Sequence, residues 1–493
     1  MSVDSESIRD APVSVAGNVA KNFITVSAGN FASQAIGFFV VAYLARVLGP
    51  QSYGQVSLAT ATLAFGAYFA DLGLHTLGIR SVAQDRTRLE SVVSNYVALK
   101  VILAVMATLL VTGFAFVSRL SETVQTLTLL YAITLLFTGV YIDWVFTGLQ
   151  RMEFIGVARI LSYLIYAAIV FLTVHSPQDI VWLPLSVLTG QVVSACFLLF
   201  VFKRNYPVFQ FKPEPASWVL LLRQALPLSA SLLIIQFYIS LPPLLLGWFQ
   251  GETAVGYYSG AWRLEQILHG LLGLFFVTLY PVAAHRWKHS PDTIQPFLEK
   301  VLKLILILTI PIAMGGTVMG GQVLTSVLGA KFANSILPFQ ILLWNLVAVG
   351  VNGTFAQLVL MMNGKQKEFL WVVSVGAVVS ILMDLLLIPT AGYIGAAVAW
   401  VLAEIAVCFS SYWLARRYVT LAFGGVLLRP FAASALMILA CWILLVWIAW
   451  EVVVPIGGLV YLIGLIAMGG LDRNDWDFAR RVLLNERGGE SSG

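Results

Sequence analysis

The sequence predicts an all-α, polytopic membrane protein of about 14 transmembrane helices, arranged as two parallel six-helix lobes with two extra helices. Three observations carry this. Only 11% of the residues are charged while 59% are hydrophobic, and the mean hydropathy is +0.88. Soluble domains carry roughly 25% charged residues, so a chain this poor in charge has too little to cover a water-facing surface. Apolar runs of roughly 20 residues, the length that crosses a bilayer core, recur from Asn22 to Gly470 with short polar breaks. The basic residues, finally, cluster in alternate breaks.

Residues 1–21 hold Asp4, Glu6 and Asp10 near Arg9, unlike the basic leader of a cleaved signal peptide. They are expected to be a retained, disordered cytoplasmic tail. The N-lobe, 22–205, takes spans at 22–45, 55–77, 91–117, 123–147, 156–175 and 180–202. The C-lobe, 218–420, takes spans at 226–249, 254–280, 300–324, 333–361, 368–389 and 392–415. Pro242-Pro243 would bend the seventh span. Extra spans at 425–449 and 452–470 occupy 425–470, and a basic cytoplasmic tail follows over 471–493. Cys196, Cys408 and Cys441 lie far apart inside apolar runs, as core packing requires, with neither a disulfide framework nor metal-ligand spacing. No cofactor or metal is expected.

Of the 29 Lys and Arg, 24 fall in the two tails and the even-numbered connections. Only Arg46, Arg119 and Lys331 fall in the odd-numbered ones, and Lys100 and Arg263 lie within spans. Basic residues stay on the cytoplasmic side, so both termini are predicted to be cytoplasmic, in the cell inner (plasma) membrane. The net charge of +5 is then a one-sided bias facing an anionic leaflet and calls for no nucleic-acid partner. The outer connections are too short for an extracytoplasmic catalytic domain, and no phosphate-binding Gly-x-x-x-x-Gly-Lys-Ser/Thr loop is present. A transporter is expected, not an enzyme.

Two pairs of segments echo each other. "GLQRMEF" (Gly148–Phe154) follows the fourth span and "NGKQKEF" (Asn363–Phe369) the tenth. Ser27-Ala28, Gln34 and Gly54 match Ser229-Ala230, Gln236 and Gly256 at one constant offset. Six spans per copy leave the copies in the same orientation, a transporter architecture with its substrate site between the halves near mid-membrane.

"ARVLGPQSYGQ" (Ala45–Gln55) and "FADLGLHTLGIR" (Phe69–Arg80) resemble the signature of bacterial and archaeal polysaccharide flippases. These include the O-antigen translocases and belong to the multidrug/oligosaccharidyl-lipid/polysaccharide exporter superfamily. The resemblance covers nearly the whole chain. A local similarity to lipid II flippases lies in "GYYSGAWRLEQILHGLLGLFFVTLYP" (Gly256–Pro281), where Arg263-Leu264, Gly270, Gly273 and Pro281 keep that family's spacing, although two extra residues separate Tyr257-Tyr258 from the arginine. The similarity implies that Arg263 faces a central cavity and holds the lipid's pyrophosphate.

Taken by itself, an arginine at the bilayer centre costs roughly 2.5–3.5 kcal/mol on insertion scales, so it faces protein or water. Its own helix face carries Gly256, Ser259, Gly260, Gln266 and Gly270, all small or polar. Glu265, about 200° around the helix, cannot pair with it but can reach His269 one turn on. The substrate-binding candidates are therefore Arg263 and Gln266 with Asn30, Gln34 and Gln236, whose amides either line the groove or bond between helices. Asp71, Glu265 and Glu404 are the charged candidates for coupling to H+ or Na+. Asp71 is equally a helix-end ion pair with Arg80 or a loop base, and Glu404 equally a buried pair. Lys100, Asp143 and Asp384 are expected to sit near span ends, where snorkelling accounts for them. Arg46, at the outer mouth after the first span, reads as a loop anchor, with ligand contact as the alternative.

The function expected is a flippase carrying a polyprenyl-diphosphate-linked oligosaccharide from the cytoplasmic to the outer leaflet by alternating access, for cell-surface polysaccharide biosynthesis. A glycan polymerase or assembly machinery would be a compatible partner. The alternative is a cation-coupled multidrug exporter of the same superfamily.

Overall fold

The computed structural model describes residues 15–118, 120–420, 424–472 and Asp475, with side chains from Ser33 onward except those of residues 228, 230–232 and 424–426. In chain order the helices are α1 (Val15–Asp71), α2 (Leu74–Gln84), α3 (Leu89–Val117), α4 (Glu122–Val140), α5 (Asp143–Gly148), α6 (Met152–Thr173), α7 (Trp182–Asn205) and α8 (Trp218–Gln250). They continue as α9 (Glu252–His289), α10 (Ile294–Leu328), α11 (Ile336–Leu343), α12 (Asn345–Asn352), α13 (Gln366–Ala415), α14 (Gly424–Leu444) and α15 (Trp450–Ala467). Between α12 and α13 the stretch Gly353–Met361 widens into a π-helix.

Among the described residues, 12 helical stretches are long and apolar enough to cross a membrane. Two of them, of 52 and 50 residues, would run about 75 Å if straight, more than twice a ~30 Å hydrocarbon core. Each is broken at a glycine in the left-handed region: Gly49 (φ 69°) in α1 and Gly392 (φ 56°) in α13. Dividing each there gives the fourteen segments that the hydropathy pattern predicts.

The chain forms two compact units. The first runs to Val41 and resumes over Thr62–Leu233; the second comprises Ala42–Ala61 and everything from Ile234 on. In the first unit, Trp144, Phe146, Leu74 and Leu198 are fully buried in a core built by α2, α3, α5 and α7. In the second, α9, α10, the π-helix and α13 close around Phe276, Leu306, Phe355 and Leu358. α14 and α15 pack on α10 through Met319, Met437 and Val453, and the Tyr461 hydroxyl donates to the Ile307 carbonyl at 2.6 Å.

The internal repeat has a structural counterpart. Gly49 and Gly251 share one backbone conformation (φ 69°, ψ 177° and φ 82°, ψ 179°) at the offset of 202 residues that relates Gly54 to Gly256. The two corners also touch reciprocally. A Cβ on Gly54 would lie 1.8 Å from the Glu252 carbonyl oxygen, and one on Gly256 would lie 1.8 Å from that of Pro50. Pro50 and Glu252 are themselves 202 residues apart. Gln55 Nε2 donates to Glu252 Oε2 at 2.6 Å beside this contact. Because each neighbour is backbone and not a yielding side chain, Gly54→Ala or Gly256→Ala is expected to destabilise the packing by about 1–3 kcal/mol, read as a lower melting temperature of the purified protein. The second echo aligns one residue differently from its Glu-Phe match. Gln150 and Gly364 take the left-handed conformation, Arg151 and Lys365 follow as N-caps, and helices restart at Met152 and Gln366.

Candidate functional site

α9 begins at Glu252 and carries Arg263 11 residues along, about 16 Å from its start, within an apolar helix long enough to cross a membrane. Arg263 is exposed, and its guanidinium lies in hydrogen-bonding range of the Tyr53 hydroxyl. Among the described residues no carboxylate forms an ion pair with it. Tyr53 is held by the corner after Gly49, with its ring edge-on to Phe332 at 5.8 Å. The corner is itself anchored by Arg46, which caps the end of α10 by donating to the carbonyls of Ser326 and Val327 (3.0 Å to the latter). Arg46 is thus an anchor between two corners of the second unit.

Glu265 points elsewhere. It is fully buried, and its two oxygens accept from Asn345 Nδ2 and Gln266 Nε2, each at 3.0 Å. The Glu265–His269 pairing expected from helical spacing does not form: His269 Nδ1 is buried without a partner. Gln266 is therefore a partner of Glu265. Farther along, Glu404 Oε1 accepts from Asn352 Nδ2 at 2.9 Å, so the acid is tied to an amide on a neighbouring helix. Gln236 Nε2 donates to Ser240 Oγ at 2.6 Å along its own helix, and Gln34 is exposed. Asn30 lies where side chains are outside the described residues.

Three charges read as interfacial are instead deep or paired. Lys100, 4% exposed, bonds Asp71 Oδ1 at 3.0 Å, so the partner of Asp71 is Lys100 and not Arg80 or a loop base. Lys100 is held by the Asp71 carboxylate at the end of α1, where Leu72 (φ 43°) and Gly73 (φ 78°) break the helix before α2. That break turns a carboxylate toward the middle of α3. The backbone N–H of His75 donates to the Asp71 carboxylate at 3.2 Å, and His75 Nε2 lies 3.4 Å from Asp143 Oδ2, at a second break between α4 and α5. Asp384 is fully buried and accepts from Ser380 Oγ at 3.3 Å. Outside the spans, hydrogen bonds from Thr87 hold the Asp85 carboxyl below the usual carboxylate range at the turn before α3.

The family described as polysaccharide biosynthesis protein matches residues 19–287, more than half of the chain. The chain belongs to that family. A protein of Escherichia coli (strain K12) described as "Putative O-antigen transporter" is 20% identical over 396 residues, covering 78% of this chain and 94% of that one. The lipid II flippase MurJ, in an inward closed conformation, superposes with a TM-score of 0.75 over 94% of this chain and 100% of its own, at 16% identity. An inward-facing multidrug resistance MATE family transporter of the MOP superfamily superposes at 0.60, covering 78% and 94%, also at 16% identity. At such identities these two show the fold alone. The chain is a multi-span membrane protein of the polysaccharide biosynthesis protein family.

Sequence reasoning missed Tyr53, Asn345 and Asn352. The signal was present for the two asparagines, since each interrupts the apolar run 333–361 as Glu404 interrupts 392–415.

Proposed function

We propose that the chain is a flippase that moves a polyprenyl-diphosphate-linked oligosaccharide from the cytoplasmic to the outer leaflet of the inner membrane, with both termini cytoplasmic. The observation that carries this reading is an arginine about 16 Å from the start of a membrane-spanning helix, with a tyrosine hydroxyl beside it and, among the described residues, no carboxylate to neutralise it. A guanidinium so placed presents a planar fork of donors matched to phosphate oxygens. The cargo needs such help: each sugar hydroxyl moved unpaired into hydrocarbon costs about 4–8 kcal/mol, so a glycan crosses only along a polar path. The chain has no ATP-binding loop, so a gradient of H+ or Na+, or removal of product outside, sets the direction. The relatives' O-antigen transport and lipid II flipping are the same class of task.

Deletion in the native host tests the proposal. Lipid-linked oligosaccharide is expected to accumulate on the cytoplasmic face while surface glycan falls, and plasmid-borne wild type restores both. Unchanged glycan display together with raised drug sensitivity would make the protein a drug exporter instead.

A further inference from the structure

The second unit contains a partly open cavity of about 340 Å³, bordered by α8, α9, α12, the π-helix and α13 and not lined by Arg263. One wall is aromatic. Tyr238 and Trp400 stack at 5.3 Å with their planes 28° apart, and Trp262 meets Trp400 edge-on. Apolar side chains such as Phe276, Val277, Val349 and Val373 line most of the rest, and a polar group is set among them. Glu404 and Asn352, already bonded to each other, both border the cavity, as does His269. Three polar atoms on these lining residues have no partner among the described residues and almost no accessible surface, so a ligand meets them only when the side chains turn toward the cavity: Trp400 Nε1, Asn352 Oδ1 and His269 Nδ1.

Such atoms are expensive to leave unsatisfied, about 1–3 kcal/mol each, and their types restrict what can satisfy them. The indole N–H only donates, whereas the amide oxygen and the Glu404 carboxylate only accept. A bare cation would serve the acceptors and leave the indole unpaired. An apolar drug would serve none of them. A hydroxyl both donates and accepts, and a pyranose carries a rim of hydroxyls around a face of C–H groups that lies against aromatic rings. The volume falls near the lower end of small-ligand sites, about 300–1,000 Å³, suited to a terminal sugar and not to a whole glycan.

We propose that this cavity is a sugar-binding subsite that takes one pyranose unit of the carried glycan between the Tyr238–Trp400 wall and the rim formed by Glu404, Asn352 and His269. This rests on the flippase reading, whose cargo supplies the sugar. Glu404 then serves as a hydroxyl acceptor held by Asn352, in place of the cation-coupling role that its position in the sequence suggests.

The test uses the full chain in lipid nanodiscs with free glucose, galactose, mannose, rhamnose and N-acetylglucosamine, followed by saturation-transfer NMR. At least one sugar is expected to bind with a Kd of about 1–10 mM, and Trp400→Leu to weaken it at least ~10-fold. Glu404→Gln, which keeps one acceptor oxygen, should weaken it less. Trp400→Phe keeps an aromatic face and should retain part of the signal. It and Tyr238→Ala decide the matter if Trp400→Leu fails to elute as a folded species. Absence of transfer from all five sugars overturns the proposal, and so does transfer equal in wild type and all the wall variants. Sodium chloride raising the melting temperature through Glu404, with no sugar transfer, would make the cavity a cation site and likewise overturn it. The two readings fail separately. No sugar binding beside a positive deletion phenotype sinks only the subsite; sugar binding beside unchanged glycan display sinks the flippase.

Discussion

Arg263→Ala is expected to abolish lipid-linked oligosaccharide transport while leaving the protein inserted at wild-type abundance. Removing the guanidinium relieves an insertion cost of about 2.5–3.5 kcal/mol, so the variant has no reason to misinsert. The side chain is exposed and joins no ion pair among the described residues, so its loss strands no buried countercharge. The buried Tyr53 loses the guanidinium beside its hydroxyl, at a cost of up to about 1–3 kcal/mol, while its ring packing on Phe332 still holds it. Transport is affected differently. Hydrogen bonds to a charged group are worth about 1.5–3 kcal/mol each, so losing both arms of a bidentate diphosphate contact removes about 3 kcal/mol or more, at least a hundredfold in rate or affinity. Arg263→Lys keeps the charge without the fork and should fall between. Complementation of the deletion strain, with abundance measured in the same membranes, reads all three. Full transport by the alanine variant would remove Arg263 from the proposed site.

What the sequence made legible follows from which forces act locally. The spans were readable because hydrocarbon demands an unbroken apolar run, a constraint each segment meets alone. The two corners were partly readable. Gly54 and Gly256 stand at a fixed offset, and the structure shows why only glycine serves there, each meeting the other corner's backbone. The helix breaks were hidden. Nothing in "FADLGLH" fixes an interruption at Leu72-Gly73 in preference to a helix that carries its glycine, and the break is what brings Asp71 to Lys100. Judged by distance from the end of its apolar run, Lys100 looked shallow enough to snorkel; the carboxylate that holds it arrives from another helix, at long range in sequence. The pairing of Glu265 with Asn345, 80 residues away, was illegible for the same reason. Helical spacing offered His269, but spacing alone does not determine where a ring turns.

Lys100→Met is expected to be the most damaging single change to stability, and Asp71→Leu added to it should restore most of the loss. Removing one member of a buried ion pair costs about 3–5 kcal/mol because the other charge stays behind. With Asp71 partly exposed, the lower end, about 3 kcal/mol, applies here. The double variant leaves neither charge. It still lacks the acceptor that Asp71 supplies to the His75 backbone at the start of α2, so about 1 kcal/mol of capping remains lost. Melting temperatures of the purified proteins should therefore fall in the order wild type, double variant, Lys100→Met. A double variant no more stable than the single one would show that the pair does not hold the end of α1 to α3. A double variant that is stable, abundant and unable to transport would separate packing from function, because packing would then be intact and the Lys100–Asp71 charges would be needed for movement of the cargo or its coupling ion.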